Sequence, residues 1–375
     1  MVKSAVAHST RVLSEAVRTG EGDSALHDPP SGLLPRGRSR PLVLGIIPSL
    51  TWSVTRCLSR AGHKPVVLGW HRVSPLQLLP DCDYVPLSNV RWINGELDPT
   101  LLDQVDAACA RFQIDLVMGI DFPGVLLLAR HGARLRHRIA PMPEPALMLE
   151  LHNKWHFSNV LRGLDIPQPM TELARSADEL LATRIGFPII TKPIDRWASV
   201  GFQIHDSREA LQATILRRGL AAPFPLLVQD YVPGNDVGFA FLADRGKLLA
   251  HAAFDNPRRG VRRYFRSEVL RHHVERFLRA TGYHGLGEID TRYHIARDEY
   301  RLLEINPRCW ASILYAQHAG MNFPDLLIQL AQRERRNSDF AATAQPVRLS
   351  YYELGVSKLM QFAERAHAYR LSRAR

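Results

Sequence analysis

Two acidic segments close together in the chain, Glu288-Ile289-Asp290 and Leu302-Leu303-Glu304-Ile305-Asn306-Pro307-Arg308, hold the residue types best suited to chemistry. The pattern predicts strands over 287–293 and 300–305, joined by the polar turn Ala296-Arg297-Asp298-Glu299. Hairpin pairing would set Asp290 and Glu304 side by side, with the Asn306 amide two residues on and pointing the same way. Two carboxylates and an amide oxygen on rigid strands suit Mg²⁺, a hard cation that also keeps waters and phosphate oxygens. Mn²⁺ has the same taste in ligands. Arg308, just beyond, offers a planar fork to a phosphate oxygen. A surface hairpin with ordinary charges is the simpler reading. Against it, Leu302, Leu303 and Ile305 enclose Glu304, and a lone carboxylate among apolar neighbours is costly to bury.

Upstream lie four elements with the chemistry of a phosphate or nucleotide site. Lys154 lies in His152-Asn153-Lys154 near the start of a helix, and Lys192 closes the apolar strand Phe187-Pro188-Ile189-Ile190-Thr191-Lys192. A lysine ending an apolar strand beside a small-residue loop reaches into a cleft, although either lysine alone would ordinarily be a solvated surface group. Gln229-Asp230-Tyr231-Val232 ends another strand, where exposed backbone N–H and C=O groups can pair with a base edge while Val232 covers the ring. Asp236 follows, placed to accept from ribose hydroxyls or simply to serve a turn with Gly234-Asn235. Ser199 and Gly201 give the loop after Lys192 some small-residue character that lets backbone N–H groups approach phosphate.

These residues need a scaffold. From Pro41 the chain alternates buried strands (42–47, 65–68, 114–120) with helices (51–60, 99–112), the pattern of a parallel doubly wound sheet whose ligands sit at the carboxyl ends of strands. Ser49 or Ser53 at the first helix could hold an anion, with N-capping the better reading of either alone. Pro141-Met142-Pro143-Glu144-Pro145 breaks the pattern and marks a boundary. Beyond it come a helix through Leu161, a helix over 177–185, strands over 188–192 and 226–229, a hairpin of 237–242 with 247–254, a basic loop over 256–266 and a helix over 267–281. The last segment, 351–375, is helical in composition and reads as a solvated terminal helix.

The 375 residues are 46% hydrophobic, enough for two or three packed lobes. The formal charge of +11 is dispersed, and no zinc-finger spacing, RNA-binding aromatic signature or basic zipper accompanies it, so nucleic acid is not an expected partner. An anionic small substrate or an arginine-rich composition explains the surplus, the latter being the plainer account. Cys57, Cys82, Cys109 and Cys309 are widely spaced and read as reduced thiols of a cytoplasmic protein. No apolar run reaches membrane-span length. Residues 1–40, rich in Ser, Gly, Pro and Arg, read as a disordered leader.

Taken in this order, the chain from about Leu42 to Leu330 resembles the ATP-grasp superfamily, in its carboxylate–amine ligase branch. The most specific stretch is Leu303-Glu304-Ile305-Asn306-Pro307-Arg308-Cys309-Trp310-Ala311-Ser312, followed by His318-Ala319-Gly320-Met321-Asn322-Phe323-Pro324. The resemblance implies an α/β chain of α+β lobes: a Rossmann-like pre-ATP-grasp domain over 41–150, a central lid subdomain over 151–232, a catalytic lobe over 233–335 and a helical tail over 336–375. It implies ATP and Mg²⁺ as cofactors, small-molecule carboxylate and amine substrates, and a homodimer. The family's nucleotide lysines fall on Lys154 and Lys192, its adenine hinge on Gln229 through Val232 and its ribose acid on Asp236. Its metal ligands fall on Asp290, Glu304 and Asn306, with Glu288 ranked second, and its phosphate-binding arginine on Arg308. The implied reaction activates a small acid, an amino acid first among the candidates, as an acyl phosphate that an amine then captures. A phosphotransferase using the same nucleotide site, or a non-catalytic nucleotide-binding module, are the alternatives. Two departures stand out: Trp197 interrupts a loop that is usually glycine-rich, and Gln229 stands where glutamate is common. One arginine of the run Arg258-Arg259-Gly260-Val261-Arg262-Arg263 is expected to meet the carboxylate donor.

Overall fold

The computed structural model describes residues 39–373 apart from 70–73, 79, 81, 197–199, 259, 334–339 and 342–345, so the leader expected over 1–40 lies almost wholly outside them. Strand β1 (Pro41–Gly45) leads into helix α1 (Pro48–Arg60), then β2 (Val66–Gly69), β3 (Asp83–Pro86), α2 (Leu101–Phe112), β4 (Leu116–Gly119), α3 (Phe122–His131) and β5 (Arg138–Ile139). These strands form one parallel sheet in the order β3-β2-β1-β4-β5. Every residue of β1 and β2 is buried, as expected of strands covered on both faces. Helix α1 starts earlier than its sequence pattern suggests, because Pro48 can occupy a first-turn position where no N–H is needed. Ser49 and Ser53 therefore lie inside the helix and neither caps it: the Ser53 hydroxyl donates back to the Ser49 carbonyl at 2.9 Å.

Helix α4 (Pro145–His152) and α5 (Lys154–Gly163) follow, where one helix was expected. Asn153 breaks them apart, its side chain accepting from the Trp155 and His156 N–H groups at 3.0 and 3.2 Å. A small lobe comes next: β6 (Thr171–Ala174), α6 (Ala177–Leu181), β7 (Ile189–Pro193), β8 (Gln203–His205), α7 (Arg208–Leu216) and β9 (Leu226–Asp230). Its antiparallel sheet runs β8-β7-β9-β6 over a core of Leu180, Ile189, Leu211, Leu226 and Val228.

The largest sheet is antiparallel. It contains β10 (Asn235–Asp244), β11 (Lys247–Arg258), β12 (Val261–Phe265), β13 (Gly285–His294), β14 (Glu299–Asn306) and β15 (Pro346–Arg348), in the order β14-β13-β10-β11-β12-β15, with Phe340–Ala341 adding to β11. Helices α8 (Glu268–Thr281), α9 (Ile313–His318), α10 (Phe323–Gln332) and α11 (Tyr351–Arg373) complete the chain. Strand β10 shows why the sheet is covered on both sides. Phe239, Phe241 and Ala243 join the core that holds Phe157 and Phe277, whereas Ala240 and Leu242 join the core that holds Trp52, Trp310 and Phe323. The stretch read as a basic loop over 256–266 is instead the tip and return of the β11–β12 hairpin, and this fixes the direction of each arginine. No helix among the described residues is long and apolar enough to cross a membrane.

Candidate functional site

The acidic hairpin forms as its alternation predicts, with Asp290 opposite Glu304 and Glu288 opposite Asn306. A register shift between Asp290 and Thr291 leaves Leu303 as an extra residue on β14, a bulge directly beside the two acids. Asp290, Glu304 and Glu288 all line one cavity of about 770 Å³. Lys154 and Lys192 line it too, although they come from different elements. The capped first turn of α5 supplies Lys154, whose N–H bonds the Ile194 carbonyl at 2.7 Å, and the central strand of the small lobe supplies Lys192. The two Nζ atoms lie 3.6 and 3.5 Å from Glu304 Oε2, and the Lys154 ammonium also donates to the Arg196 carbonyl.

Electrostatics at this point are unbalanced. Burial pulls Lys192 below its ordinary value against the opposing pull of Glu304. Burial, joined by the neighbouring Glu304 charge, pushes Asp290 up to about 7 despite Lys192 and Arg308. Burial and the Asp290 charge push Glu288 well above the usual carboxylate range. Carboxylates whose ionised forms are this unwelcome answer to a cation. Among the described residues no three His, Cys, Asp or Glu side chains converge into a cage that could hold a metal unaided. Mg²⁺ does not need one, since it binds through one or two carboxylates plus waters and phosphate oxygens. Asp290 and Glu304, hard donors facing one cavity, fit that role. The Asn306 amide is turned differently from the expectation: its Nδ2 donates to Glu288 Oε2 and Asp290 Oδ2, both at 3.3 Å, and its Oδ1 accepts from Arg308 at 2.8 Å. It would have to rotate to offer oxygen. Arg308 does not line the cavity. It sits behind the acids, spending its donors on Asn306 Oδ1 and the Cys309 carbonyl.

The other end of β9 meets the same cavity. Gln229 through Val232 and Asp236 line it, with Ile190, Val200, Phe202 and Leu303 supplying apolar surface. Within 229–232, Gln229 belongs to the strand ladder opposite Ile190 and Thr171, and Asp230 N–H bonds the Met170 carbonyl and Tyr231 N–H the Pro188 carbonyl, each at 3.1 Å. Among the described residues nothing accepts from the Val232 N–H. The Gln229 side chain turns away to donate to Thr171 Oγ1 at 2.9 Å, and Asp230 pairs with Arg301 at 3.0 Å. Gly234, at the turn between hinge and sheet, has φ +143°, and a Cβ there would lie 1.8 Å from the Tyr293 carbonyl oxygen. Asp236 is exposed and ion-paired with Arg292 at 2.7 Å. Ser199 and Trp197 lie outside the described residues.

Several wall residues carried no signal of their own in the sequence. Arg292 clamps the hinge through the Val232 carbonyl at 3.2 Å. Leu354, Ser357, Lys358 and Gln361 share one face of α11 at helical spacing and close the cavity from the C-terminal side. The terminal helix is therefore part of the site.

A parallel-sheet lobe, a small antiparallel lobe and a large antiparallel sheet that share a lysine-and-carboxylate cavity match known architectures. A family model described as ATP-grasp in the biosynthetic pathway with Ter operon matches residues 223–354. The fold is that of the ATP-grasp superfamily. Among solved structures of similar fold, an L-amino acid ligase from Bacillus licheniformis superposes with TM-score 0.58 at 18% identity, covering 79% of this chain and 75% of that one. N5-carboxyaminoimidazole synthetase from Staphylococcus aureus gives TM-score 0.64 at 13% identity, covering 82% and 81%. A biotin carboxylase from Campylobacter jejuni gives 0.60 at 14% identity, covering 80% and 72%.

The raised Asp290 carboxyl has a consequence for stability. Its folded value of about 7 lies above the ordinary 3.8, so between those pH values the folded chain holds a proton that the unfolded chain has lost. Its contribution to stability therefore falls as pH rises through that window and stays lost above it. Asp290→Asn has no such group. In chelator and without nucleotide, the variant is expected to melt above the parent at pH 8, with the gap closing towards pH 5. A gap that is constant with pH, or reversed, would contradict the assignment.

Proposed function

We propose that this chain is an ATP-dependent, ADP-forming ligase that joins a small-molecule carboxylate to an amine through an acyl phosphate. The observation that carries the reading is the convergence of Lys154 and Lys192 on Glu304, opposite Asp290, in one cavity. Two ammonium groups and two recessed carboxylates within one cleft suit a polyphosphate bridged to a divalent ion, and little else of small size.

In this reading Lys154 and Lys192 leave Glu304 to hold the nucleotide's phosphates, while Asp290 and Glu304, with Asn306 once its amide has turned, hold Mg²⁺ or Mn²⁺. The ion would supply charge neutralisation across the phosphate oxygens. The hinge from Gln229 to Val232 takes the base through the Val232 N–H, and Asp236 meets the ribose. Arg308 acts by aiming Asn306 and by offsetting the acids, in place of the direct phosphate contact expected from sequence. The acid's carboxylate oxygen attacks the γ-phosphorus, and the bond to ADP breaks. The amine nitrogen then attacks the acyl carbon, the bond to phosphate breaks, and the amine gives up a proton. The protein's part in such transfers is position and charge more than covalent chemistry.

Hydroxylamine tests this directly. With ATP, Mg²⁺ and a panel of small acids, a ligase yields the hydroxamate of its own substrate in step with ADP. A phosphotransferase would yield a stable phosphoester and no hydroxamate, and a nucleotide-binding module neither.

A further inference from the structure

Cations of the cavity are left over when the nucleotide end has been accounted for, and Arg262 is the one held deepest between rings. Arg262 stands on β12, registered opposite Val347 of β15, and lines the same cavity as Glu288, Ser312 and Tyr315. Its guanidinium lies between two rings, 5.1 Å from the Tyr315 centroid and 5.9 Å from that of Phe254. The Nε atom is sealed from solvent and has no hydrogen-bond partner, and Nη1 makes only a 3.4 Å contact with the neighbouring Val261 carbonyl. Among the described residues no carboxylate lies within ion-pair distance of it. Glu288, which shares the cavity wall, is engaged by the Asn306 amide. Its sequence neighbour Arg263 is different: it points to the other side and is bonded through both Nε and Nη2 to Asp255. A half-buried guanidinium flanked by rings, with donors unused, is built to meet an anion that arrives from outside.

That anion is not the carboxylate that reacts, on grounds of place. Phosphoryl transfer belongs beside Lys192, Asp290 and Glu304. Glu288 lies a further strand repeat along β13, about 6.8 Å from Asp290, and Arg262 stands beyond it on β12, three strands from β13 in the order β13-β10-β11-β12, its charge reaching Glu288 across the cavity. The wall beyond is the α11 face, where Lys358, exposed at the mouth and in no ion pair among the described residues, adds a second positive charge beside Ser357 and Gln361.

We infer that the end of the cavity between β12 and α11 holds a second anionic group of the acid substrate, gripped by Arg262, so that the acid is a dicarboxylate or a phosphate-bearing carboxylate. This deepens the ligase reading and rests on it for which carboxylate reacts. Arg262 sets specificity, and Lys358 supports it from the helix.

Calorimetry on the full chain with Mg²⁺ and ADP present tests the pocket independently of turnover. The probes are three pairs that differ in one charge: L-glutamate and L-glutamine, L-aspartate and L-asparagine, O-phospho-L-serine and L-serine. At least one charged member is expected to bind on the order of 10–100-fold more tightly than its neutral partner, and the winning pair identifies the group as carboxylate or phosphate. Arg262→Ala should erase that difference, Arg262→Lys should keep part of it, and Lys358→Ala should lower it only a few-fold. Melting curves on each variant show whether a loss is local, and Arg262→Gln replaces Arg262→Ala if the latter does not fold. Equal affinity within every pair, a difference that survives Arg262→Ala, or no binding by any probe would overturn the inference. Charge-selective binding without acid-stimulated ADP release would leave the pocket standing and overturn the ligase reading; ADP release indifferent to Arg262 would do the reverse.

Discussion

Asp290→Asn combined with Glu304→Gln is expected to abolish acid-stimulated ADP release. Each single change should lower the rate by on the order of 10²–10³, by analogy with loss of one preorganised charged group at a reacting centre. The two losses will not multiply, because both residues serve one ion. The amides preserve size and most of the packing, so the variant should fold. What it lacks is two negative charges. Lys154 and Lys192, 3.6 and 3.5 Å from Glu304 in the parent, then face each other without a counter-charge. Nucleotide phosphates should relieve that repulsion, so metal-free ADP should still bind while the stimulation of binding by Mg²⁺ disappears. Calorimetry with and without Mg²⁺, beside the rate of ADP release, checks both halves. Undiminished turnover in the double variant would remove the metal site and the mechanism built on it.

The hairpin that carries these acids was legible because its pattern is local. Alternation set the faces, the short turn set the register, and Asp290 faces Glu304 as a result. The lysines were legible only through their order along the chain, since nothing local distinguishes Lys192 from a surface lysine. The direction of Arg308 is decided by Asn306 Oδ1 and the Cys309 carbonyl, contacts that no spacing reveals. The basic run near the β11–β12 hairpin was seen as a candidate, but composition could not choose among its arginines. Strand alternation could have: Arg262 shares a face with Tyr264, which packs against Phe254, and Arg263 falls opposite Asp255. The terminal helix misled for a physical reason. A face of Leu354, Ser357, Lys358 and Gln361 is polar enough to pass for a solvent face, and a polar cavity wall has the same composition.

A signal for that helix was nevertheless present in Ser350-Tyr351-Tyr352-Glu353, the spacing of a capping box. Glu353 N–H donates to Ser350 Oγ at 3.2 Å, and Ser350 N–H donates to Glu353 Oε2 at 3.0 Å. The carboxylate is buried and does more than cap. His318 Nε2 lies 2.9 Å from Oε2, Arg60 Nη2 lies 2.9 Å from Oε1, and Arg56 Nε lies 3.9 Å from it. One side chain thereby ties α11 to α1 and α9. Burial alone would raise its carboxyl, but the Ser350 N–H and hydroxyl, with His318, more than offset this and hold it below its ordinary value. The tie is therefore present above the usual carboxylate range and is lost as pH falls through the lowered folded value. Glu353→Ala removes the cap and the buried counter-charge that Arg60 and His318 share, a loss on the order of 3 kcal/mol. The expected result is a melting temperature lower by roughly 5 °C and a weakened grip on the acid, because Leu354, Ser357 and Lys358 follow directly on the same helix. Glu353→Gln separates the two roles, since glutamine still completes a capping box but cannot balance Arg60. It should hold the helix more firmly than alanine does and still fall short of the parent. If Glu353→Ala left both the melting temperature and the KM for the acid unchanged, α11 would be a bystander to the cavity it lines.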